Sequence, residues 1–166
     1  CVVAPTPSTR WLFEKSGGDS LDANLHSRYR QVVGKVMHVQ SDYKECQFVI
    51  KEFARELSSP KKDSDARLHY LVRYLAGCKE HYLLIRPRVG ENGTMMTVDA
   101  NWAGCTRTRQ STGTIVVDLF GCHVHQSTPT QPTIALASPR SALREIHRGS
   151  HSVTYLHNLG FEAYGG

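Results

Sequence analysis

Residues 98–121 read VDANWAGCTRTRQSTGTIVVDLFG. The stretch predicts two short strands separated by a turn. Val98 and Asp99 end an alternating run that starts at Met95 (MMTVD), Gly104 breaks it, and Thr114 to Phe120 (TIVVDLF) takes up the two-residue period again. Ile115, Val117 and Leu119 alternate against Asp118, which therefore faces solvent in this reading. Gly113 and Gly121 punctuate the second strand, and the connection around Gly121 to Cys122–Gln126 (CHVHQ) has hairpin length.

Working outward, His81–Arg86 (HYLLIR) and Thr133–Ala137 (TIALA) read as two further strands, with Pro87, Gly90, Asn92-Gly93 and Pro129 as turn signals between them. The tail from Ser141 to Leu159 is helical by composition, although Gly149 sits inside it. Before Gly77 the period is about 3.6. Residues 28–39 carry Tyr29, Val32, Val33, Val36 and Met37 on one face, and Gly34 in their midst implies close packing against a neighbour. Residues 42–57 carry Cys46, Val49, Ile50, Phe53 and Leu57, with Ser41 as N-cap and Ser58, Ser59 and Pro60 as the stop. Residues 63–76 carry Leu68, Leu71, Val72 and Leu75, and Gly77 is placed to end the helix in a left-handed conformation. The order is helices, an antiparallel meander, then a helix. The fold class expected is α/β of the α+β kind: a linker over residues 1–27, a helical lobe over 28–80 and a sheet-containing lobe over 81–166.

The 166 residues suffice for a core. The longest dense apolar run, Ile115–Phe120, is far short of the roughly 20 apolar residues a spanning helix needs, so no membrane association is expected. Five widely spaced cysteines, with no C-x-x-C, predict reduced thiols and neither a disulfide framework nor a zinc ribbon. The net charge of +5 modestly favours a polyanionic partner. Cys1 stands where Met would open a chain, and no secretory signal follows it; a fragment, a processed chain or an incomplete gene model is expected, with the protein inside the cell, in cytoplasm or nucleus.

Four blocks then resemble one family in order and spacing. VDANWAGCTRTRQSTGTIVVDLFG resembles the stretch SDADWAGCxxxRxSTSGxxxxLxG of copia-type retrotransposon Pol polyproteins. TQPTIALASPRSALREI resembles their KQxTVALSSTEAEYIAL. RYRQVVGKVM and ARLHYLVRYLAGCKEHYLLIRP resemble the helical segments that close their reverse transcriptase region. The resemblance covers about Arg28 to Leu159. It implies that residues 28–80 correspond to the end of the reverse transcriptase region and 81–166 to part of a ribonuclease H-like domain. That domain cleaves the RNA strand of an RNA–DNA hybrid with two Mg2+ ions.

Two-metal hydrolysis needs several carboxylates converging within a few ångströms. The resemblance makes Asp99 the first-strand metal ligand, the ancestral catalytic position. Its partner, the glutamate on the following helix, falls on Ala142, and the preceding glutamate on Arg140. The second aspartate of the DADW motif is Asn101. A fourth-strand aspartate should follow the helix, but Gly166 comes first, so the lobe is expected to be truncated, with Met95–Asp99 as a sheet edge open to self-association. Glu145 and Asp118 are the only nearby acids. The expectation is a degenerate site, no bound Mg2+ and no cleavage. No polymerase aspartate pair precedes Arg28.

Arg107 and Arg109 lie in the turn after the first strand. They read equally as phosphate contacts to an RNA–DNA hybrid or other nucleic acid and as solvated cations. A non-catalytic nucleic-acid-binding or interaction module is the alternative function. His123 and His125 share a face if the third strand is regular, which would suit zinc with a third ligand, although the family has no metal there. His147 and His151 form an i, i+4 pair without the acid of a zincin motif. Trp102 is expected to pack against the sheet.

Overall fold

The computed structural model describes residues 4–7, 18–80, 84–87, 93–105 and 108–164. The fold is α+β: four helices and a three-stranded antiparallel sheet. Contacts divide the chain into two units, Cys1–Leu83 and Leu84–Gly166.

In the first unit, α1 spans Ala23–Val39, α2 Gln47–Arg55 behind a 3-10 turn at Lys44–Cys46, and α3 Lys62–Gly77. Asp22 caps α1 by accepting the Leu25 N–H at 2.8 Å, which satisfies one of the orphan donors of the first turn. Tyr29, Val33 and Val36 follow at helical spacing and are buried with Cys46, Val49, Ile50 and Phe53 of the second segment and Leu68 and Leu71 of the third. The Tyr29 hydroxyl donates to the Phe53 carbonyl at 3.2 Å, and burial pushes the phenol well above its ordinary pKa. Burial likewise pushes the Cys46 thiol up to about 12, with Glu45 and Cys78 adding to the shift, so this cysteine is held as an unreactive thiol.

Three local expectations are corrected. Ser41 does not cap the second helix: the Val39 carbonyl takes the N–H groups of both Asp42 and Tyr43, which places Ser41 inside the connecting turn. Gly77 does not adopt the left-handed conformation. It remains helical, and Cys78 closes α3 at φ −96° with its N–H on the Leu75 carbonyl. Gly34 is not packed against a neighbour, since a Cβ built there meets nothing within 4 Å. It is simply an exposed helical glycine, which loses more backbone entropy on folding than alanine would. Gly34→Ala is therefore expected to stabilise the first unit by about 0.5–1 kcal/mol, read as a rise in the urea midpoint with an unchanged m value; a loss of stability would show a close approach that the structure lacks.

In the second unit, β1 (Thr94–Asn101), β2 (Thr112–Leu119) and β3 (Cys122–Ser127) form a meander, and α4 (Ser138–Tyr164) packs on one face of it. The β1–β2 ladder is regular from Thr94 opposite Leu119 to Asn101 opposite Thr112. Phe120 (φ 51°) and Gly121 (φ 71°) make the β2–β3 turn, both with the positive φ that a two-residue hairpin of right-handed twist requires. Gly149 lies inside α4 because the helix crosses the sheet there at close range: a Cβ would collide with the Met96 sulfur and press on Ile115.

Two predicted strands are corrected. Thr133–Ala137 is irregular. Only an isolated bridge, Thr112 to Thr130, precedes it, and side chains take its carbonyls: Arg144 Nη1 donates to Thr133 at 3.0 Å and Trp102 Nε1 to Ala135 at 2.9 Å. Of His81–Arg86, the first three residues lie outside the described set, and Leu84–Arg86 form no strand and are exposed. No helix among the described residues is long and apolar enough to cross a membrane.

Candidate active site

The pleat decides which side chains of β1 can act together. Met96, Val98 and Ala100 are half-buried on the side that α4 covers, whereas Met95, Thr97, Asp99 and Asn101 are exposed on the other. Asp99 stands opposite Thr114 in the ladder, and its Oδ1 accepts the Ala100 N–H at 2.8 Å.

Ala142 is half-buried on α4 between two fully buried neighbours of the sheet-facing side, Ser141 and Glu145. Asp99 and the helix position assigned as its partner are thus separated by the sheet rather than converging. On the face that Asp99 occupies, the next acid is Asp118. It pairs with Met95, four residues along the ladder from Thr114, or about 13 Å at strand rise.

Asp118 is not a freely solvated acid as expected. It accepts from or pairs with His123 Nδ1 at 3.2 Å, with both side chains about a quarter exposed. A β-bulge places these two together. The register slips between Val117, opposite His125, and Asp118, opposite His123, leaving Val124 as the extra residue. The bulge puts His123 on the Asp118 face and His125 on the Val117 face, which overturns the same-face histidine pair that a regular strand would give. The His147 and His151 rings meet edge to face at 4.8 Å between centroids. Among the described residues no three His, Cys, Asp or Glu side chains are arranged to hold a metal ion.

The donor set around Asp99 does not fit a pair of Mg2+ ions. Such ions need several converging carboxylate oxygens, and among the described residues this carboxylate's neighbours on its face of the ladder are Thr97, Asn101, Thr112, Thr114 and Val116, none of them acidic.

Glu145 is buried on the opposite side, 1% exposed, directly over Gly113 of β2. Its Oε1 accepts Gln131 Nε2 at 2.9 Å, and the same amide donates to the Ser141 carbonyl at 2.8 Å. Glu145 Oε2 and Gln131 Oε1 are both left without a partner. Two adjacent groups that only accept cannot satisfy each other, and an unmet buried acceptor costs about 1–3 kcal/mol. Glu145→Gln supplies an amide donor at the same volume. It is expected to leave the fold intact and raise stability by about 1 kcal/mol, visible as a higher melting temperature; a clear fall would mean that the carboxylate charge itself is needed. Sequence reading missed this network because Gln131 sits in a polar stretch with no periodic signal.

Arg109 lies in the turn with φ 57°, its N–H on the Cys105 carbonyl at 2.7 Å and its side chain exposed. Arg107 lies outside the described residues. Trp102 is half-exposed and reaches Ala135, so it ties the segment before α4 to the end of β1. Among the described residues, Cys46, Cys78, Cys105 and Cys122 form no disulfide.

The chain is similar in sequence to part of a transposon Pol polyprotein and to a plant mitochondrial protein. It is 22% identical over 137 residues to the Retrovirus-related Pol polyprotein from transposon RE2 of Arabidopsis thaliana, covering 80% of this chain and 9% of that polyprotein. It is 25% identical over 130 residues to the Uncharacterized mitochondrial protein AtMg00810 of the same plant, covering 78% of this chain and 53% of that protein. The resemblance to a transposon Pol polyprotein read from the ordered motifs is borne out at this modest identity. The chain spans about half the length of the first curated relative and under a tenth of the second. No protein-family model matches it, and no solved structure does.

Proposed function

We propose that the chain is a piece of a copia-type Pol polyprotein, with residues 28–80 the helical end of its reverse transcriptase region and 81–166 a ribonuclease H-like region that does not cleave RNA–DNA hybrids. A β1–β2–β3 meander followed by a helix laid on one face supports the ribonuclease H-like reading. The observation that carries inactivity is the isolation of Asp99: among the described residues its sheet face offers no second carboxylate within reach, and Ala142 occupies the helix position that should supply one. A lone carboxylate can neither hold two divalent cations nor position the attacking water between them. The expected partner is nucleic acid, the expected compartment the cytoplasm or nucleus, and no Mg2+ is bound.

Incubation with a labelled RNA–DNA hybrid and Mg2+ or Mn2+ tests this. The expected outcome is no cleavage above the protein-free control. Robust cleavage that disappears in Asp99→Asn would overturn the reading.

A further inference from the structure

One flank of α4, beside its sheet-facing side, carries a row of basic side chains. The buried positions of this helix, Ser141, Glu145 and Gly149, recur every four residues and define its sheet-facing side. At about 100° per residue, Arg140, Arg144, His147, Arg148, His151 and Tyr155 fall within an arc of roughly 100° that begins beside Ser141 and covers one flank of the helix, and they run along roughly 22 Å of it. All are exposed except Arg144, which is half-buried and anchored on the Thr133 carbonyl. The only acid between Ser138 and Leu159 is Glu145, and it is buried against the sheet. None of the five basic side chains enters an ion pair among the described residues.

We propose that this face of α4 is a docking surface for the phosphate backbone of a nucleic-acid duplex. Three guanidinium groups spaced by four residues stand about 6 Å apart along the helix. Their forked donors match phosphate oxygens, and a rigid helix presents them without the ordering cost that a loop would pay. A membrane surface fits less well. A helix that lies on lipid gathers its apolar residues on one side to bury them among acyl chains, whereas the exposed Leu143, Ile146 and Leu159 of α4 are spread round the helix. The proposal rests on the reading that the chain contacts nucleic acid; it places that contact on α4 rather than on the Arg107–Arg109 turn, and it does not depend on chemistry at Asp99.

Fluorescence anisotropy of the whole chain with a labelled 20-base-pair RNA–DNA hybrid, across a salt series, tests it. Arg140→Gln with Arg148→Gln is expected to weaken binding roughly tenfold or more and to flatten the slope of log K against log salt by about 1.8, the loss of two phosphate contacts. Lysine at both positions should retain most of the affinity, which separates lost charge from lost fold. Arg28→Gln with Arg30→Gln, exposed on α1, should change little. Unchanged binding in the α4 double variant, with the loss appearing instead in Arg107→Gln with Arg109→Gln, would overturn the proposal while leaving nucleic-acid binding standing. No hybrid binding by the unmodified chain at low salt, or binding only to vesicles containing phosphatidylserine, would overturn both.

Discussion

Gly113→Ala should destabilise the second unit by about 3 kcal/mol, near the upper end for overpacking a core, and most of that loss should return when Glu145 is shortened to alanine as well. Gly113 is the second residue of β2, opposite Ala100, and the Glu145 carboxyl group rests directly on its Cα. A methyl group there collides with the end of that side chain. Glu145 cannot swing aside cheaply, because it is buried and Gln131 holds its Oε1. The two sites touch, so their effects should couple strongly rather than add. For a unit of this size the single variant should lower the melting temperature by roughly 10–20 °C. A double-mutant cycle read from thermal melts checks it. Additive losses would mean that α4 does not cross β2 at this point.

Arg67→Ala should cost the first unit about 3 kcal/mol or more, the range for removing one partner of a buried pair. Arg67 is 5% exposed on α3. Its Nη2 donates to both Glu56 carboxylate oxygens at 3.1 and 3.0 Å and to Ser64 Oγ at 3.3 Å, and its Nε reaches the Asp63 carbonyl at 3.2 Å. Removing the guanidinium strands a largely covered carboxylate beside the Tyr29 phenol, whose pKa that carboxylate already raises and the guanidinium lowers. Arg67→Met, which keeps the apolar stem, should recover part of the loss when combined with Glu56→Leu, because the orphaned charge is then gone. Hydrogen exchange at the amides of α2 and α3 reports the effect locally. A shift under 1 kcal/mol for Arg67→Ala would place the pair in water rather than in the core.

The helices were legible because burial follows a period that composition displays. Tyr29, Val33 and Val36, and Val49, Ile50 and Phe53, are the residues that periodicity selects and the structure buries. The three strands that persist are those whose apolar residues alternate with a partner strand alongside. Thr133–Ala137 alternates equally well, but its backbone is engaged by Trp102 and Arg144, a tertiary fact invisible in a local pattern. The bulge at Val124 was hidden for a similar reason. One unpaired residue reverses the parity of everything after it, so His125 changes face with no change in the residues themselves. Gly34 and Gly149 look alike in sequence, yet only the second meets another element. At the candidate site, Asp99 and Ala142 could be named from the motifs. Their placement on opposite sides of the sheet could not, because which face a helix covers depends on packing.

Titration with Mn2+, followed by electron paramagnetic resonance of the free ion, bears most directly on whether Asp99 stands alone. The unmodified chain and Asp99→Asn are expected to give the same weak, non-stoichiometric uptake. Stoichiometric uptake of two ions per chain, abolished in Asp99→Asn, would contradict the account.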